Sequence, residues 1–381
     1  MTDRLAATSA TVRLLAVGDI MLGDSPTCVG FGFHSRYRAS AASALTSATP
    51  LLRRGDIVIG NLECLLSTRG RGTTRLERDQ MRGSPSSAKE LREAGFTAIN
   101  VANNHAMQHG AHAFAETVTH LRMAGLDCVG LRGTGDWCAT PCIQTTASGL
   151  TVGLLGYSWR PRQYDQGPPL YAEGDVDGVA ADVARLAQMT DCVVVSLHWG
   201  EEFLGLASER EVAAARRIID EGACVLVGHH PHVRRPVERY GRGVICYSLG
   251  NFVTDMLWQP ALREGAVLDC RLERGAASRA TTFTSRVDAS YRAIVADVAE
   301  EIPSAPVGGL PEQFYEAAVR NTVMLQRRAL YAYVARNAYR FPPLVLAQLA
   351  FTTARNKLEA LIARFTAAKG QPAAGDDARR E

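Results

Sequence analysis

Lysine is nearly absent from this chain. Only Lys89, Lys357 and Lys369 are lysines among 42 basic residues, and the other 39 are arginines. A guanidinium fork suits carboxylate and phosphate better than an ammonium does. The net charge of +3 leaves no surplus large enough to argue for a nucleic-acid partner. Long hydrophobic runs are missing too, and none approaches the ~20 apolar residues of a membrane span. Residues 1–11 are polar and small, and Val12–Val17 is too short for the apolar core of a signal peptide. A cytoplasmic protein is expected. No two cysteines form a CxxC pair. The nine stand at positions 28, 64, 128, 138, 142, 192, 224, 246 and 270. An odd number, several within apolar runs, predicts reduced and mostly buried thiols rather than a disulfide framework.

What is present is a globular chain of 381 residues with 46% hydrophobic content, enough for one large α/β domain with an extension. Short apolar runs predict strands at Val12–Gly18, Asp56–Gly60, Phe96–Ala102, Leu150–Tyr157, Cys192–Leu197, Cys224–Val227 and Val244–Leu249, and residues 266–290 complete the sheet. Helices are predicted at residues 40–53, Ser86–Ala94, Ala111–Ala124, Val176–Met189 and Glu209–Glu221, with Gly95 and Gly125 just past two of the ends. The segment 69–82 reads as a charged loop. From Pro311 to Phe365 the pattern is helical, broken at Phe341-Pro342-Pro343. Strand–helix alternation argues for α/β architecture with largely parallel strands. The expected division is a domain at 12–290, a helical extension at 300–368 that also offers a surface for homo-oligomers, and a disordered polar tail at 369–381.

The densest chemistry lies between Ala223 and Phe252. His229, His230 and His232 fall within four positions, directly after a buried apolar run and Gly228. In an extended segment His230 and His232 share a side, and two imidazoles at a strand end suit a metal ion. A lone histidine there would more often be incidental; His-Pro-His after a buried strand favours ligands. Other polar motifs end other predicted strands: Asp19, Asn61 with Glu63, Asn104 with His105, and His198. In α/β sheets this edge is where ligands bind. Convergence of so many oxygen and nitrogen donors makes a metal centre the favoured expectation, with Mn²⁺, Zn²⁺ or Fe as one or two ions.

Six segments in order, GDIMLG (18–23), GDIVIGNLE (55–63), INVANNHAMQHG (99–110), SLHWGEEF (196–203), VGHHPHV (227–233) and YSLGNF (247–252), resemble the capsule synthesis protein CapA family within the calcineurin-like metallophosphoesterase superfamily. The resemblance covers about residues 12–270 and leaves out the helical segment after 300. It implies a four-layer β-sandwich flanked by helices, with metals at the strand ends. It further implies that Asp19 and His232 hold a first ion and Asn104, His198 and His230 a second. Asn61 stands where the superfamily has a bridging aspartate, and Glu63 is near enough in sequence to take that role. His105 stands at the general-acid position, and Asp19, Glu63 and His232 are the further catalytic candidates. Three positions depart from the pattern: Met21 replaces a histidine, Asn61 an aspartate, and Gln108 an aspartate.

Three functions follow as alternatives. The first is metal-dependent hydrolysis or group transfer on a peptide or poly-γ-glutamate-like substrate, with Arg71, Arg75, Arg234 and Arg235 meeting its carboxylates. The second is isomerisation. The resemblance extends to enzymes that modify ribosomally made peptides by Cα epimerisation, which needs a polarised carbonyl and proton-transfer groups on two faces. The third is a polymer-binding protein without catalysis, and the retained histidines weigh against it.

Overall fold

The computed structural model describes residues 10–160 and 167–351. Its strands, in chain order, are β1 (Val12–Ile20), β2 (Ile57–Leu62), β3 (Leu65–Leu66), β4 (Arg82–Gly83), β5 (Ala98–Asn100), β6 (Asp127–Val129), β7 (Cys142–Thr145) and β8 (Thr151–Ser158). They continue with β9 (Cys192–His198), β10 (Val225–His229), β11 (Val237–Tyr240), β12 (Gly243–Cys246), β13 (Asn251–Val253), β14 (Glu264–Glu273), β15 (Ala276–Val287) and β16 (Ala293–Glu301).

Two large sheets form. One runs β16-β15-β14-β1-β2-β5-β6, with β13 also paired to β1, and the other runs β11-β12-β10-β9-β8-β7. Alternation along each central strand explains the layering. On β1, Leu14 and Ala16 face the other sheet, where they meet Val152, Leu154, Val194 and Val225 in one buried cluster. Leu15 and Val17 point the opposite way and pack with Leu91, Phe114 and Leu121 from two helices. On the second sheet Val193 and Val195 face outward onto Val183, Leu186, Val212 and Ile218, also from two helices. The result is a four-layered sandwich, helix–sheet–sheet–helix.

The strands are only partly parallel. β1-β2-β5-β6 and β8-β9-β10-β12 pair in parallel, whereas β14, β15 and β16 pair antiparallel with their neighbours. The reason is connection length. Only two residues separate β14 from β15, and such a hairpin permits antiparallel pairing alone. The predicted helix at 40–53 is instead two single turns, Ala42–Leu45 and Thr49–Leu52. The segment 69–82, read as a loop, contains the helix Arg75–Asp79, started by a capping box between Thr74 and Glu77.

The C-terminal segment begins with the helix Glu312–Arg336. It is tied to the body through Gln326, which accepts from Trp258 Nε1 at 3.0 Å and donates to Gln259 at 2.8 Å. Beyond it residues 343–351 are helical, and Phe341 and Val345 pack on Val29 and Leu76. The expected tail, and the extension past residue 351, lie outside the described residues. Among those residues no helix is long and apolar enough to cross a membrane.

Candidate metal centre

Parallel register brings the polar strand ends together. Asp19 on β1 stands opposite Asn61 on β2 and Asn251 on β13, and His198 ends β9 opposite His229 on β10. Close approach at this edge depends on Gly18, since a β-carbon there would collide with the Gly250 carbonyl oxygen while Asp19 N donates to that same oxygen at 2.9 Å.

The histidine loop differs from the extended segment expected of it. β10 stops at His229, and His230 and His232 have φ of 94° and 58°. Positive φ at a residue with a side chain costs of order 1–3 kcal/mol and persists only where the surroundings enforce it. The enforcement is visible. His230 N donates to Asp19 Oδ2 at 3.1 Å. Asn251 donates to the His232 carbonyl at 3.2 Å and pairs with His232 Nδ1 at 3.1 Å. The two imidazole rings come within 5.9 Å of each other, centroid to centroid, because of these contacts and not because of strand alternation.

Glu63 lies at the centre and is fully buried. One of its oxygens is 3.6 Å from His198 Nε2, 3.7 Å from His232 Nε2 and 3.9 Å from His105 Nε2. Neither oxygen receives a hydrogen bond. Asp19 is 3.4 Å from His232 Nδ1 and 3.5 Å from His229 Nδ1. Three overlapping sets of ligand atoms, each within 4.8 Å, are Glu63–His198–His230, Asp19–Glu63–His232 and Glu202–His230–His232.

Asn61 has its polar atoms engaged inside the protein. Its oxygen accepts from Asn100 at 3.0 Å and Asn103 at 3.4 Å, and its amide nitrogen lies 2.8 Å from Asp19 and 3.3 Å from His198 Nδ1. Asn104 Oδ1 is 2.8 Å from His198 Nε2. Met21, which replaces an imidazole in the expected pattern, turns its sulfur to the Thr254 hydroxyl at 3.3 Å. Two residues had been given no role. His229 lies within the histidine segment but was not among the expected ligands. Glu202 was legible only as part of a Gly-Glu-Glu doublet just after His198, which reads equally well as a solvated turn.

Electrostatics single out the same groups. Burial pushes the Glu63 carboxyl well above the usual carboxylate range. Burial also opposes charge on Asp19, but the close imidazoles of His229 and His232 outweigh it and hold the carboxyl well below its ordinary value. For His232 burial disfavours the cation, yet Glu63 and Asp19 overcome it and raise the imidazole to about 10. Burial lowers His198 and His230 well below the ordinary histidine value. Burial also lowers His105, to about 4, and a hydrogen bond to Gln108 at 2.7 Å only partly offsets it.

None of the four arginines expected at a substrate lines the cavity above the centre. Arg235 is buried and spent on Glu211 at 2.7 Å and the Leu204 carbonyl. Arg234 binds Thr284 and Glu300. Arg75 pairs with Asp79, and Arg71 donates its backbone N–H to His109. For Arg75, Arg234 and Arg235 groups of the protein already fill the place that a substrate carboxylate would take. Arg71→Ala combined with Arg75→Ala is therefore expected to leave KM within about twofold of the parent, the behaviour of residues that contribute no substrate binding. Steady-state kinetics on the true substrate checks this.

A helix–sheet–sheet–helix sandwich with histidines, carboxylates and asparagines gathered at its strand ends is the architecture that the sequence resemblance led us to expect. Residues 13–256 match the family of bacterial capsule synthesis proteins, PGA_cap, and the chain belongs to it. It is 30% identical over 266 residues to the PGA biosynthesis protein CapA of Bacillus subtilis, covering 69% of this chain and 68% of that one. It is 32% identical over 256 residues to the capsule biosynthesis protein CapA of Bacillus anthracis, covering 65% of this chain and 61% of that one. Among solved structures, a 5′-nucleotidase from Candida albicans aligns with a TM-score of 0.44 at 9% identity, covering 84% of this chain and 57% of the other.

Proposed function

We propose that this chain is a divalent-metal-dependent enzyme that performs hydrolase or transferase chemistry on a peptide or poly-γ-glutamate-like substrate. The supporting observation is Glu63: a wholly buried carboxylate with no donor to either oxygen and three imidazoles within 4 Å. A buried charge left unpaired costs several kcal/mol, and a cation among these atoms removes that cost. Asp19, Glu63, His198, His230 and His232 would hold it, with Glu202 at the solvent side. Imidazole mixed with carboxylate suits Mn²⁺, Zn²⁺ or Fe²⁺. Such an ion supplies Lewis-acid polarisation of a carbonyl or phosphoryl oxygen.

The remaining chemistry belongs to the chain. Asn61 is a positioning residue: it holds Asp19 and His198 in fixed relation through one amide. His105 reaches the cavity, and its Nδ1 faces the Gln108 carbonyl oxygen. That contact fixes the proton on Nδ1 and leaves the lone pair on Nε2. A carboxylate at position 108 would favour the imidazolium; a neutral amide does not. His105 in this state accepts a proton at Nε2 and later returns it.

The same contact favours a second reading, in which the substrate is isomerised rather than cleaved. A neutral His105 suits abstraction of a Cα proton, with a group across the cavity delivering one to the other face. One experiment separates the two. The Mn²⁺-loaded protein is incubated with γ-glutamyl and α-linked peptides in D₂O, and products are read by mass and chirality. Cleavage without deuterium at Cα is the expected result for hydrolysis. A gain of one dalton with inversion and no cleavage supports isomerisation. Retention of no metal after reconstitution, with activity intact in chelator, refutes both.

A further inference from the structure

The cavity over the candidate metal centre has a volume of about 380 Å³. His105, His232 and Glu202 form its polar floor. The walls have a different character: Met21, Met81 and Met256 stand with Phe203 and Trp258 in a single apolar cluster. The remaining side is the helix Glu312–Arg336, which contributes Val323, Gln326, Arg327 and Leu330. That helix lies outside the family-matched residues 13–256.

This lining fits a polyanion poorly. Each γ-linked glutamate would bring a carboxylate, and burying charge against thioethers and aromatic rings carries a large desolvation cost. Methionine walls instead adapt to apolar groups of irregular shape. One cation is available at the rim. Arg327 is exposed and has no carboxylate partner among the described residues. It also borders a groove on the outer face of the same helix, beside Arg320 and Arg328. A chain leaving the cavity along that groove would meet three guanidiniums.

We propose that the substrate is a peptide that places one apolar side chain between Met21, Met256 and Trp258, with a carboxylate adjacent to that residue held by Arg327. The proposal rests on the metal-centre reading and narrows it: the helix outside the family-matched region selects the substrate, and the selection is for an apolar residue with an anionic neighbour rather than for a uniform polyanion.

Calorimetry on the full chain loaded with Mn²⁺ tests this with three probes: N-acetyl-L-phenylalanine, its neutral amide, and a γ-linked glutamate decamer. The acid is expected to bind about tenfold more tightly than the amide, the gain from one charge-assisted contact, and the decamer more weakly than either. Arg327→Gln should lower the acid to the affinity of the amide and leave the amide unchanged. Met256→Glu should weaken acid and amide together. A decamer that binds more tightly than the acid overturns the proposal. An acid affinity that survives Arg327→Gln also overturns it, because the carboxylate would then be held by the ion instead. Metal content is measured on the same samples. A chain that takes up no Mn²⁺ overturns the metal-centre reading and this proposal with it. A loaded chain that prefers the decamer overturns only this proposal.

Discussion

Glu63→Gln is expected to raise the melting temperature of the metal-free protein and to abolish the further rise that Mn²⁺ gives the parent. The two effects have one cause. Glu63 is a fully buried carboxylate whose oxygens have no donors, and burial raises its carboxyl well above the ordinary range. A group whose folded pKa is raised in this way holds its proton in the native state after the unfolded state has lost it. Metal-free stability therefore falls as pH climbs from the ordinary carboxylate value toward the raised one. An isosteric amide has no charge to bury, so its advantage over the parent should be larger at pH 8 than at pH 5. Asp19 remains to support charge on His232. With metal the order reverses. A ligand at a thousandfold excess over its Kd adds about 4 kcal/mol to the parent's stability, and the amide cannot supply a carboxylate ligand. Differential scanning calorimetry at both pH values, with and without Mn²⁺, reads all four states. Equal Mn²⁺ shifts in parent and variant would remove Glu63 from the centre.

Asp255→Asn is expected to stabilise the protein with a pH dependence set by one carboxyl. Asp255 is fully buried. Its Oδ2 accepts from Ser25 N at 3.0 Å and Phe33 N at 3.2 Å, and its Oδ1 has no donor. Burial, with the Asp24 carboxylate adding to it, raises the carboxyl to about 7. Between the unfolded value near 4 and this folded value the native state binds the extra proton, so stability declines as pH rises through that window and stays low above it. At about 1.4 kcal/mol per pKa unit the full loss is roughly 4 kcal/mol at pH 8. Asparagine keeps an oxygen for the two backbone donors and carries no charge. Its advantage should widen by roughly 2–3 kcal/mol between pH 5 and pH 8. Urea unfolding at the two pH values measures the gap, and a gap that stays constant would mean the carboxyl is not the titrating group. The site is affected as well, because the loop anchored by Asp255 carries Ser25, Pro26 and Thr27 onto the cavity rim.

Much of the side-chain cluster was legible in the sequence. Asp19, Glu63, Asn104, His105, His198, His230 and His232 each follow an apolar run, and parallel register turns that shared position into one cluster. The less legible parts have physical reasons. Alternation cannot describe His230 and His232, because each takes a positive φ that long-range hydrogen bonds to Asp19 and Asn251 enforce. Those partners are 211 and 19 residues away. Arginine content suggested a surface for an anionic substrate near the site, but sequence does not reveal which guanidiniums the protein has already paired. Arg235 illustrates this: it is wholly enclosed beside Glu211. The segment 69–82 hid a helical turn because its capping box starts only five residues of helix. The second sheet's place against the first came from the family resemblance, since strand–helix alternation alone describes an open sheet equally well.

The clamp of Gln326 between Trp258 and Gln259 has a consequence for how this protein can change. The groups proposed to hold the ion sit on strand ends fixed by the packed sandwich, whereas the side of the cavity formed by Val323, Arg327 and Leu330 rests on a single helix late in the chain. Substitutions on that helix leave the proposed ligands untouched. On this geometry reaction and recognition are separable, and a chimaera that exchanges the late helix while keeping the clamp is expected to keep the recipient's chemistry and take the donor's substrate.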